Sequence, residues 1–203
     1  MEIKCIKSTL LNTNNYIFSD KEVNILIEAS VKLDTLKNIV KKIDAILITH
    51  MHWDHYENLE DIVSYYNCPV YFRKEGSDKL LLSNKKLFKF DKSFKCEIDY
   101  KYINYVKDNE DFYINNIKIK SIFTSGHTNC SCSYLINNNL FTGDILFYHN
   151  VGRTDLPTGN QLDLNNSLNK ILNLNEDIVV YPGHGEKTDI KSEKLFFNNY
   201  LNN

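Results

Sequence analysis

The most constraining feature of this chain is a repeated juxtaposition: short apolar runs that read as buried strands each end directly in residues able to hold a metal ion. After the apolar run 45–49 come His50, His52, Asp54 and His55. After 117–123 comes Ser125-Gly126-His127-Thr128, after 140–141 comes Thr142-Gly143-Asp144, and after 178–181 comes Pro182-Gly183-His184-Gly185. Five of the 6 histidines fall in these clusters. Strand ends that gather at one edge of a sheet form a natural place for a ligand site. Glycine directly before His127, Asp144 and His184 predicts a tight backbone turn at each.

Residues i and i+2 of an extended segment face the same way, so His50 and His52 can grip one ion while the following turn sends Asp54 and His55 toward another position. Neutral imidazoles and carboxylates suit borderline divalent ions, zinc first, with iron and manganese compatible with the same donors.

The surrounding pattern is that of an α/β chain. Strand-like runs at 3–6, 16–19 and 23–27 open it. Helical spacing of Leu33, Leu36, Val40 and Ile43 predicts a helix before the strand at 45–49, and Leu59, Ile62, Val63 and Tyr66 predict another before a strand at 70–72. Further strands are expected at 98–106, 117–123, 133–136, 140–141 and 178–181, and helices at 162–174 and 191–201. The middle, 80–109, is rich in Lys, Phe and Tyr and has no clear period apart from the run at 98–106. Three Pro and 7 Gly leave no linker, so one domain over 1–203 is expected. Asn is abundant without forming a polar tract.

Composition narrows the function classes. A formal charge of -2 supplies no basic field for a nucleic-acid backbone or an anionic bilayer, so neither is expected as a partner. No run approaches the roughly 20 apolar residues of a membrane span, and the first ten residues lack a secretory apolar region. Five scattered cysteines give no disulfide framework, which predicts reduced thiols and a cytoplasmic protein. Cys130 and Cys132 read as packing residues on a strand, and Trp53 as a wall of the site.

Thr49-His50-Met51-His52-Trp53-Asp54-His55, followed by His127, Asp144 and His184, resembles the hallmark of the metallo-β-lactamase fold superfamily. That resemblance implies a four-layer αββα sandwich of two mixed sheets flanked by helices, with the metal site at one edge. Gly152-Arg153-Thr154-Asp155-Leu156-Pro157 and the Pro182-Gly183-His184-Gly185 ending resemble the short bacterial relatives of glyoxalase II, the hydroxyacylglutathione hydrolases. The resemblance implies His50, His52 and His127 on one ion, Asp54, His55 and His184 on a second, and Asp144 bridging them.

It implies a metal-dependent thioesterase acting on a thioester or related ester, such as an S-2-hydroxyacylglutathione, through a hydroxide held between two divalent ions. Asp54 and Asp144 would then be catalytic as well as ligating. Arg153, Tyr148 and His149 are the candidate substrate contacts. With two ions, two aspartates and one hydroxide, the formal charge of such a site is about +1, which favours anionic or strongly polarised small molecules. The alternative implied by Gly-Arg-Thr-Asp is a persulfide dioxygenase with one iron on His50, His127 and Asp144.

Overall fold

The computed structural model describes residues 1–9, 11–77 and 96–201. Most of the unpatterned stretch 80–109, up to residue 95, lies outside the described residues. The first sheet comprises β1 (Glu2–Lys7), β2 (Asn14–Asp20), β3 (Val23–Ile27), β4 (Ala45–Leu47), β5 (Val70–Arg73) and β6 (Ile103–Val106), in that order. Strands β1 to β3 pair antiparallel and β3 to β6 pair parallel. The second sheet contains β7 (Asp111–Ile114), β8 (Ile117–Phe123), β9 (Cys132–Ile136), β10 (Asn139–Gly143), β13 (Val179–Pro182) and β14 (Thr188–Asp189). Its order is β14-β13-β10-β9-β8-β7, with β10 and β13 parallel and the other pairs antiparallel. A small hairpin, β11 (Leu146–Phe147) and β12 (Asn150–Val151), stands apart.

The period-2 alternation of the strands builds the layers. Phe18, Ile25, Ile27 and Leu47 of the first sheet meet Ile119, Cys132, Tyr134 and Phe141 of the second in one buried core. The residues between them point the other way. Ile17, Leu26, Ile46 and Phe72 pack with Leu36 of α1 (Leu33–Lys37), Tyr56 of α2 (Trp53–Tyr56) and Ile62 of α3 (Leu59–Tyr66). On the far side, Ile122, Leu140 and Val180 pack with Leu164 and Ile171 of α4 (Gln161–Leu172) and Ile190 of α5 (Ile190–Leu201). The chain is therefore a four-layer αββα sandwich, as expected. Each fully buried large apolar side chain stabilises it by about 1.5–3 kcal/mol.

Several local expectations are corrected. The helix implied by Leu33 to Ile43 stops at Lys37. The Ile39 and Val40 amides both turn back to the Leu36 carbonyl, and the chain must straighten to place Ala45 beside β3. β-Branched Ile39 and Val40 favour that exit. The strand expected over 98–106 forms only at Ile103–Val106, because a 3-10 turn at Tyr100–Tyr102 precedes it. Strand β4 ends at Leu47, short of Thr49. The Asn content has a structural use: Asn67, Asn115 and Asn137 take left-handed backbone at the end of α3 and in the loops β7–β8 and β9–β10. Among the described residues no helix is long and apolar enough to cross a membrane.

Candidate metal centre

Strand direction explains why the clusters meet. The parallel run β3, β4, β5 puts its C-terminal ends at one edge. In the second sheet β8, β10 and β13 all run in one sense, since β8 and β10 are each antiparallel to β9 and β13 is parallel to β10. His127, Asp144 and His184 follow those three strands, and His50 follows β4. Backbone bonds from Cys132 N–H to the Thr49 carbonyl (2.8 Å) and from Asn14 N–H to the Gly183 carbonyl (2.7 Å) join the two edges.

Three overlapping groups of donors converge there, His50, His52 and His127, then Asp54, His55 and His184, and also Glu28, His50 and His55, each with its potential ligand atoms within 4.8 Å of one another. In the first, His52 Nδ1 lies 3.1 Å from His50 Nε2 and 2.8 Å from His127 Nε2. In the second, Asp54 Oδ2 lies 3.3 Å from His184 Nε2 and 3.6 Å from His55 Nε2. Asp144 stands between the groups. Its Oδ2 is 3.6 Å from His127 Nε2 and 3.5 Å from His184 Nε2, and its Oδ1 is 3.4 Å from His55 Nε2.

Donor chemistry tests whether a cation fits. Nδ1 of His127 donates to the Arg153 carbonyl at 2.7 Å, leaving Nε2 with a lone pair. The single Thr49 hydroxyl proton goes to Glu28 Oε1 at 2.5 Å, so the 3.1 Å contact with His50 Nδ1 requires the imidazole to donate there, and His50 Nε2 also carries a lone pair. Two lone pairs thus face His52 Nδ1, where one proton satisfies one of them and a cation satisfies all three nitrogens. His55 Nε2 and Asp144 Oδ1 are buried 3.4 Å apart without a well-aligned hydrogen bond, an arrangement that an ion engaging both would satisfy better. The residues fit divalent metal ions.

The electrostatics of the first group agree, while those of the second require His55 and His184 to give up protons to an ion. Burial, reinforced by neighbouring His127 and His55, pushes the His52 imidazole down to about 3, and burial also lowers His127, so both stand neutral with lone pairs available. Burial works against charge on His55 and His184 as well, but the Asp144, Asp54 and, for His55, Glu28 carboxylates raise both. Burial likewise opposes ionisation of Asp54 and Asp144, yet the facing histidines hold both carboxyls below the usual range.

A Cβ would collide at all three glycines before ligands, with Leu164, Thr49 and Asp144 in turn, but only two of them also need a left-handed backbone. Gly126 and Gly143 have positive φ, 141° and 54°. Gly183 does not, and is required by proximity: a Cβ there would fall on Asp144 Oδ1 and within 2.7 Å of His55 Cε1.

The substrate candidates are placed differently. Arg153 is exposed and its guanidinium forks onto Asp155 at 2.6 and 2.5 Å, while its carbonyl is what supports His127. Tyr148 is exposed and stacks on His149, which stacks on Phe196 of α5, and the His149 amide donates to buried Glu193. Phe147, one residue before Tyr148, carries the ring that faces His184, with centroids 6.3 Å apart. Cys130 and Cys132 lie in the cores on either side of the first sheet, as packing residues.

Glu28 is a buried carboxylate at the centre that the sequence did not single out. It is fully buried at the end of β3, with positive φ of 65°, and its Oε1 lies 3.3 Å from His55 Nδ1. Its one sequence signal was a carboxylate closing an apolar strand at the same edge as the other ligands.

The layers and the ligand-bearing edge define a metal-binding αββα protein. The profile of the metallo-beta-lactamase superfamily matches residues 8–184. A probable metallo-hydrolase of Methanocaldococcus jannaschii is 34% identical over 189 residues, which span 88% of this chain and 90% of that protein. The probable polyketide biosynthesis zinc-dependent hydrolase BaeB of Bacillus velezensis is 29% identical over 193 residues, spanning 91% and 79%. The crystal structure of BLEG-1 B3 metallo-beta-lactamase superposes with a TM-score of 0.81 at 26% identity, covering 95% of this chain and 96% of that one. The chain belongs to the metallo-beta-lactamase superfamily.

Proposed function

We propose that the protein is a binuclear metal-dependent hydrolase of the glyoxalase II-like type, cleaving a thioester or related ester of a small molecule. His50, His52 and His127 hold one ion, Asp54, His55 and His184 hold the second, and Asp144 serves both. The observation that carries this reading is the position of Asp144, whose Oδ2 lies within 3.6 Å of one histidine from each group. The zinc-dependent relative supports zinc as the metal, and the donor set also accommodates iron and manganese.

When bound, such ions polarise an acyl carbonyl and make a coordinated water acidic near neutral pH. The chain supplies the rest. Asp54 and Asp144 remain ionised to anchor the ions, and the Arg153 carbonyl and the Glu28–Thr49 pair keep the Nε2 lone pairs of His127 and His50 turned inward. Phe147 offers an apolar surface beside His184. The dioxygenase alternative uses only His50, His127 and Asp144, and the second convergent group favours the hydrolase over it.

The test is metal quantification of the purified protein together with hydrolysis of S-lactoylglutathione and simpler thioesters. Two ions per chain with turnover, and loss of both ions and activity in Asp144→Ala, are expected. Full turnover in that variant refutes the bridging role, and one iron per chain with oxygen consumption on a persulfide displaces the hydrolase.

A further inference from the structure

The two donor groups are supported by different parts of the chain. His50 and His127 lean on Thr49 and the Arg153 carbonyl. The second group leans on the connection between β1 and β2. Thr13 is fully buried and donates its hydroxyl to Asp54 Oδ2 at 3.0 Å, the same oxygen that faces His184 and His55. Asn14 grips the other side: its amide donates to the Gly183 carbonyl at 2.7 Å, and its Nδ2 donates to the Pro182 and Gly185 carbonyls at 3.0 Å each. Three hydrogen bonds from one residue therefore bracket His184.

Thr13 is itself held. Its amide donates to Ser8 Oγ at 3.1 Å, and its carbonyl accepts from the Ser8 amide at 2.9 Å and from Asn15 Nδ2 at 3.1 Å. Among the described residues, the side-chain hydrogen bonds of Thr13 and Asn14 run to Asp54, Pro182, Gly185 and Cys5, all outside the first donor group.

We propose that Thr13 and Asn14 are positioning residues for the second metal ion alone, so that this connection sets whether the centre holds one ion or two. The inference rests on the two-ion reading above. The hydroxyl fixes the rotamer of Asp54 and occupies one lone pair of Oδ2, leaving the remainder aimed at the space shared with His184 and His55. Asn14 fixes the backbone that presents His184. Ordering these donors before binding removes an entropic cost that a loosely held carboxylate and loop would charge to the second ion only.

The test uses the full chain stripped of metal and titrated with zinc and, separately, cobalt(II), reading ions per chain and the cobalt ligand-field spectrum at each step. The native protein is expected to fill in two steps. Thr13→Val should retain the first step and weaken the second about 10- to 100-fold, the usual effect of losing a support to a ligand, and Thr13→Ser should restore it. Asn14→Ser, which loses the twin carbonyl contacts of the amide, should give the same selective loss and serves if Thr13→Val does not fold. Two unchanged steps in folded Thr13→Val or Asn14→Ser, or parallel weakening of both steps, overturns the inference. A native protein that binds a single ion instead defeats the two-ion reading and this inference with it.

Discussion

Glu28 Oε1 accepts the Thr49 hydroxyl proton at 2.5 Å and stands 3.3 Å from His55 Nδ1. Through Thr49 it sets the tautomer of His50, and it faces His55 directly, so one buried carboxylate supports a histidine in each donor group.

From this contact, Glu28→Gln is expected to lower affinity at both metal positions, by about 10- to 100-fold. The measurement is zinc content after equilibration against buffered free zinc. Native occupancy in the variant would show that the carboxylate does not support the ligands.

Gly183 touches the centre through the absence of a side chain. Gly183→Ala would push a methyl onto Asp144 Oδ1 and against His55, so metal content and turnover should both collapse. Gly185→Ala meets nothing within 4 Å and carries only the strain of a positive φ of 81°, costing about 1–2 kcal/mol. Equal metal loss in the two variants would mean that backbone strain, and not crowding of Asp144, is responsible.

Arg153 separates main-chain from side-chain roles. Since the carbonyl supports His127 and the guanidinium pairs with Asp155, Arg153→Ala should keep its full complement of metal. If the side chain meets substrate, KM for anionic thioesters rises several-fold with kcat little changed. A loss of metal would place the side chain among the supports of the centre.

Asp44 ties the two sheets together outside the site. Its carboxylate accepts from the Asn24 amide (2.9 Å) in the first sheet and from Asn115 Nδ2 (3.1 Å) at the β7–β8 turn, and it pairs with Lys42 at 2.5 Å. Burial opposes its charge, but these partners hold it below the ordinary 3.8. A carboxyl depressed in the folded state adds stability that is complete above the unfolded value and is lost as the pH falls through the folded one. Asp44→Ala should therefore cost about 1–3 kcal/mol at pH 7, and its deficit should shrink below pH 4. Denaturant titrations at both pH values read this directly. A deficit independent of pH would assign the loss to packing.

Removal of metal offers a check on the whole centre. Ligands that bind only the folded state stabilise it by mass action, so chelation should lower Tm and zinc should restore it in proportion to free metal. A Tm indifferent to both would leave the clustered donors without an ion.

Much of this was legible in the chain. The ligand clusters could be read because strand ends and short spacings are local: His50 and His52, or Gly143 and Asp144, declare themselves within a few residues. Strand β8 and helix α3 likewise announced their bounds through period-2 and helical apolar spacing. What escaped was set by long-range contact. Glu28 gained its role only when Thr49, 21 residues on, packed against it, and Thr13 only when the β1–β2 connection met Asp54, 41 residues on.

The sequence by itself determined the mix of strands and helices and the candidate donors, because alternation and ligand type are properties of neighbouring residues, while the four layers followed from the resemblance to the superfamily. Only the tertiary structure decided how closely the donors approach one another, which nitrogens of His50 and His127 face inward, and that Arg153 supports His127 through its carbonyl. Those outcomes depend on hydrogen bonds between segments far apart in the chain, whose geometry exists only once both sheets have packed.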